Sequence, residues 1–139
     1  MKRKIYDKLL QWKTEKDGTT ALMIEGARRI GKSYIVERFA EKEYESYILI
    51  DFSKAPARVR SWFDEYLEDI DTLLQNIQLH YKKQLTPRKS LIIFDEVQKC
   101  PRAREAIKAL VEDHRFDYIE TGSLISIKKN VDDILIPSE

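Results

Sequence analysis

Between a short apolar run, Ala21-Leu22-Met23-Ile24, and an amphipathic stretch that begins at Lys32 lies the octapeptide Gly26-Ala27-Arg28-Arg29-Ile30-Gly31-Lys32-Ser33. It matches the pattern G-x-x-x-x-G-K-[ST]. Its glycines let the backbone wrap tightly, so that several N–H groups point into one concavity that fits phosphate. A helix that starts on such a loop directs its N-terminal partial positive charge at the same anion. Lys32 then reaches the β- and γ-phosphates, and the Ser33 hydroxyl binds Mg2+. The strand before the loop and the helix after it are the context this mechanism needs. Arg28 and Arg29 fill variable positions and are read as solvated or paired with nearby acids.

The rest of the chain alternates in the same way. Residues 3–13 place Ile5, Tyr6, Leu9, Leu10 and Trp12 at helical spacing, and Asp17-Gly18 marks a turn. Ile35, Val36, Phe39 and Ala40 continue a helix over 32–44. Residues 47–50 form a second apolar run, which ends at Asp51. From Pro56 to Tyr81 apolar residues fall at steps of three and four, with a break near Asp69 that suits an N-cap. Leu91-Ile92-Ile93-Phe94 is a third strand, a helix follows Pro101, and Tyr118-Ile119 belongs to a fourth strand that ends at Thr121-Gly122. Strands that alternate with helices predict an α/β fold with a mainly parallel sheet. In such sheets ligands bind beyond the carboxyl ends of the strands. The apolar Ile134-Leu135-Ile136 before Pro137 receives no strand assignment.

The third strand ends in two carboxylates, Asp95 and Glu96. Behind a phosphate loop, an Asp at the end of a buried strand suits a Mg2+ contact. The adjacent Glu suits a general base that orients and deprotonates an attacking water. The fourth strand ends in Thr121-Gly122-Ser123, where a hydroxyl can bond a γ-phosphate or the attacking water. Thr121 is the first candidate and Ser123 the second. His80 and His114 lack acidic or cysteine partners at ligand spacing and are read as structural. Cys100 is read as a packed thiol. Trp62 and Phe63 are read as core, and Lys128-Lys129 as a solvated face.

Composition closes off other classes. The chain has 139 residues, with 25 Lys+Arg against 24 Asp+Glu, and a net charge of +1. That balance argues against a protein built mainly to coat nucleic acid or an anionic membrane. No apolar stretch reaches the roughly 18–20 residues that span a bilayer, so no membrane partner is expected. A single cysteine cannot form an internal disulfide, and no secretory leader is legible, so the default compartment is the cytoplasm. The guanine-reading motif Asn-Lys-x-Asp and the His-Arg-Asp loop of protein kinases are both absent from the sequence.

Taken together, these residues resemble the AAA-type P-loop ATPases. Gly26–Ser33 is similar to Walker A, Leu91–Glu96 is similar to Walker B, and Thr121 falls where sensor 1 is expected. A prokaryotic AAA family with a C-terminal accessory domain is the nearer resemblance. Its features, which include an N-terminal helix rich in Lys and Tyr, recur here as a Lys-rich N-terminal helix with Tyr6, Asp95-Glu96-Val97-Gln98 with Pro101, and Thr121-Gly122-Ser123. The resemblance implies a three-layer P-loop NTPase sandwich with the phosphate-loop strand in the middle of a five-stranded sheet. It implies ATP and Mg2+ as cofactors, with Lys32, Glu96 and Thr121 catalytic and Ser33 and Asp95 on the metal. It also implies self-association through AAA-type contacts, and a DNA or protein partner through the C-terminal domain.

Set against that pattern, residues 1–139 read as one ATPase core that stops early. The fifth strand and helical lid are expected to be missing, which would leave Ala21–Ile24 as an open sheet edge. The expected function is binding and hydrolysis of Mg-ATP. The alternative is a truncated nucleotide-binding module without turnover. A P-loop kinase or transferase is a third reading, disfavoured by the paired Asp and Glu.

Overall fold

The computed structural model describes residues 2–26, 30–123 and 134–138, with side chains for residues 4–25 and 34–122. Helix α1 (Lys2–Lys16) leads to β1 (Ala21–Gly26), then α2 (Ile30–Glu43) and β2 (Ser46–Asp51). Helices α3 (Ala57–Glu65) and α4 (Ile70–Tyr81) precede β3 (Ser90–Asp95). A short 3-10 turn (Val97–Lys99), α5 (Pro101–Asp113), β4 (Asp117–Ser123) and β5 (Ile134–Ser138) complete the order.

Local chemistry explains the boundaries. The expected break between α3 and α4 is real. The Asp69 carboxylate accepts the Thr72 N–H at 3.2 Å and the Thr72 hydroxyl at 2.8 Å, which caps α4. Helix α4 ends at Lys82, which adopts φ 55° and donates its N–H back to the last turn. Pro101 opens α5, where its missing N–H leaves no helical bond unmade.

The strand order is β2-β3-β4-β1-β5. Strands β1 to β4 run parallel, as expected. The expected open edge at β1 and the missing fifth strand are not what the structure contains. Residues 134–138 form β5, antiparallel to β1, with Met23 opposite Ile136 and Glu25 opposite Ile134. The backbone groups of β1 that an edge would leave unpaired are bonded on both sides. Pro137 has no N–H to give a ladder, which restricts such a strand to the outside of a sheet, where β5 lies.

Alternation along the strands divides the core into two layers. Ile92, Phe94 and Tyr118 face α3, α4 and α5, where they meet Phe63, Leu74, Ile77 and Ile107. Leu91, Ile93, Ile119, Leu22 and Ile24 face α1 and α2, where they meet Leu9, Trp12, Val36 and Phe39. Trp62 packs at the margin of the first layer and Phe63 is fully buried in it. Cys100 is also buried there, as its reading as a packed thiol predicts.

Candidate nucleotide site

The alternation that builds the core also selects the site face. Ile93 and Ile119 lie in the layer against α1 and α2. Two residues further along each strand, Asp95 and Thr121 therefore emerge on that same face. The parallel register sets Thr121 beside Ile24, and Ser123 beside Gly26, where β1 enters the octapeptide. Helix α2 begins within the octapeptide, at Ile30. The acidic strand end and Gly26 thus lie at the carboxyl edge of one sheet, on either side of the end of β4.

Asp95, Glu96 and Thr121 are all buried, and Thr121 is fully so. The Thr121 hydroxyl donates to Asp95 Oδ1 at 2.5 Å. Its oxygen accepts the Glu96 N–H at 3.2 Å. The Glu96 backbone has φ 56° and ψ 47°, a left-handed conformation that costs a non-glycine residue about 1–2 kcal/mol. That turn takes the chain off the strand and into the 3-10 segment. The Gln98 amide Nε2 donates to Glu96 Oε1 at 2.8 Å. The Phe52 N–H bonds the Asp95 carbonyl at 2.9 Å, so the end of β3 is tied to the segment after β2.

Beneath the strand end, Phe52, Phe63 and Phe94 pack edge to face with every pair of ring centroids 5.6 Å apart. This apolar floor fixes the backbone that carries Asp95 and Glu96. On the same side of the sheet, Glu120 is fully buried and pairs with Arg104 of α5 at 3.1 Å.

The structure brings Asp95, Glu96 and Thr121 together. Ala27, Arg28 and Arg29 lie outside the described residues. Gly26, Ile30, Gly31, Lys32 and Ser33 are placed by backbone only, in β1 and α2, as is Ser123 in β4. Lys128 and Lys129 also lie outside the described residues. The two histidines sit away from the acidic pair. His114 Nε2 lies 2.8 Å from the Asp17 carbonyl, and His80 Nδ1 lies 3.2 Å from Arg58.

Two features were not read as site residues. Gln98 stands in the sequence only as part of the Asp95–Gln98 motif, and its spacing from Glu96 becomes a contact through the left-handed turn. Asp51 ends β2 in register with Asp95, and its carboxylate accepts the Ser53 hydroxyl at 2.6 Å. A strand-ending acid was the available signal for it.

Hard oxygen donors of this kind suit Mg2+. Among the described residues no helix is long and apolar enough to cross a membrane. Comparison with curated proteins and with solved structures returns no match. A family model described as the AAA domain matches residues 18–135, which takes in every strand except the end of β5. With its α/β fold and parallel sheet, the chain belongs to the AAA domain family, whose function is of the nucleotide-binding ATPase type.

Proposed function

We propose that this chain binds Mg-ATP through Gly26–Ser33 and hydrolyses it with the pair Asp95 and Glu96. One observation carries the reading: Thr121 joins Asp95 and Glu96 at the end of β3, on the sheet face from which β1 enters the glycine-rich segment. Backbone N–H groups of the loop and Lys32 would hold the phosphates. Ser33 and Asp95 would hold Mg2+, which when bound neutralises the charge that develops on the phosphate oxygens. Glu96 takes the proton of the attacking water, and the two acids divide their roles because they leave the strand differently. Asp95 still follows the strand alternation, whereas Glu96 has turned out of it.

Thr121 arranges the acids, and its hydroxyl would meet the γ-phosphate. In the AAA-type reading, self-association accompanies this activity, and a DNA or protein partner receives its work.

The test is nucleotide binding and phosphate release in three proteins. Lys32→Ala is expected to abolish ATP binding. Glu96→Gln is expected to keep binding and lose turnover. Unchanged hydrolysis in Glu96→Gln removes the base assignment. Binding by the unaltered chain with no phosphate release, even at high protein concentration, favours a nucleotide-binding module without turnover.

A further inference from the structure

The acidic pair has a further partner that the strand pattern does not anticipate. Residues two apart do not meet on a regular helix. Gln98 nonetheless donates its amide to Glu96 Oε1 at 2.8 Å, because the left-handed backbone of Glu96 folds the chain back into the 3-10 turn. The Glu96 backbone is held at both ends. Its N–H is bonded to Thr121, and its carbonyl accepts the Lys99 N–H at 3.0 Å. What backbone bonds cannot set is the rotation of the side chain.

We propose that Gln98 is the positioning residue for Glu96, its amide fixing one carboxylate oxygen so that the other is presented to the attacking water. This rests on the reading of Glu96 as general base. An amide is suited to the task. It donates a directional hydrogen bond without bringing a cation to the carboxylate. A base held this way is already oriented before nucleotide arrives, and a misplacement of about 1 Å is enough to cost on the order of a hundredfold in rate. Gln98 does not touch the reacting atoms, so its effect passes through Glu96.

The test uses Gln98→Met, which keeps the length of the side chain and removes the donor. In the full chain, kcat is expected to fall by about tenfold to a hundredfold with KM unchanged. The same substitution made in Glu96→Gln is expected to add nothing, because the group it positions is no longer a base. A wild-type kcat in Gln98→Met overturns the proposal, as does a matching loss in both backgrounds, or a rise in KM that accounts for the loss. If Glu96→Gln itself turns over at the wild-type rate, the base assignment fails and the proposal fails with it. An inactive Glu96→Gln beside a fully active Gln98→Met overturns the proposal alone. A second readout needs no turnover: the side-chain amide proton resonances of Gln98 are expected to shift in Glu96→Ala. Unshifted resonances overturn the contact.

Discussion

The hydroxyl of Thr121 donates to the Asp95 carboxylate at 2.5 Å and accepts the N–H of Glu96 at 3.2 Å. One side chain of β4 therefore holds both members of the acidic pair, Asp95 at the end of β3 and Glu96 just beyond it. Thr121→Val keeps the shape but leaves the buried Glu96 N–H unbonded, which is expected to cost about 1–3 kcal/mol. Thr121→Ser retains the hydroxyl and is expected to lose less. Urea unfolding of the two variants checks this. A hydroxyl has one proton, and Asp95 receives it, so contact between Thr121 and a γ-phosphate requires that proton to change partner.

At the other end of the sheet, Arg88 fastens the turn after α1 to the start of β4. Its guanidinium bonds Asp117 at 2.9 Å, Asp17 at 3.2 Å and the His114 carbonyl at 3.2 Å. Gly18, with φ 82°, lies against this group, and a Cβ there would come 2.6 Å from Arg88 Nη2. A free arginine tip would move aside, but this one is held on three sides. Gly18→Ala is expected to destabilise the fold by about 1–3 kcal/mol, from the positive φ and the displaced guanidinium together. Combined with Arg88→Ala, the loss is expected to be less than additive in denaturant melts.

Two buried tyrosines make the fold sensitive to alkali. Burial raises the Tyr44 hydroxyl above its ordinary value, and the neighbouring Asp117 charge and their 2.5 Å hydrogen bond raise it further. Burial likewise raises Tyr118, with the Asp113 charge adding to it. The folded state keeps these protons at a pH where the unfolded chain releases them. The contribution of these two hydroxyls is therefore full below about pH 10 and is lost as pH rises beyond it. Tyr44→Phe and Tyr118→Phe are each expected to flatten that fall, measured as urea midpoints across the alkaline range. Among the described residues the buried Tyr118 hydroxyl has no hydrogen-bond partner, so Tyr118→Phe is expected to cost little at neutral pH.

The aromatic floor under the acidic pair makes a different kind of prediction. Phe63 is fully buried against Phe52 and Phe94. Phe63→Ala is expected to cost about 3–5 kcal/mol through lost burial and the cavity left behind. Phe63→Leu fills most of that space and is expected to cost less. Thermal melting of both variants, beside unaltered chain, measures the difference.

The helices and the four parallel strands were legible because each declares itself over a short window. The steps of three and four from Val59 to Tyr81, the apolar run 91–94 and the Asp69 cap are all local signals. Residues 134–138 carry too little pattern for that. They become a strand only because β1 offers a row of backbone groups for them to pair with. Gln98 was equally hidden, since its contact depends on the φ of Glu96 and not on any residue type.

The sequence by itself determined the α/β alternation, the octapeptide Gly26–Ser33 and the acidic pair that ends β3, because apolar period and glycine spacing act between near neighbours. Only the tertiary structure decided that β5 closes the side of β1, that Thr121 binds both acids, and that Arg88 lies under Gly18. Those relationships join residues far apart in the chain. They arise from sheet order and register, which the pairing of whole strands settles and no local segment encodes.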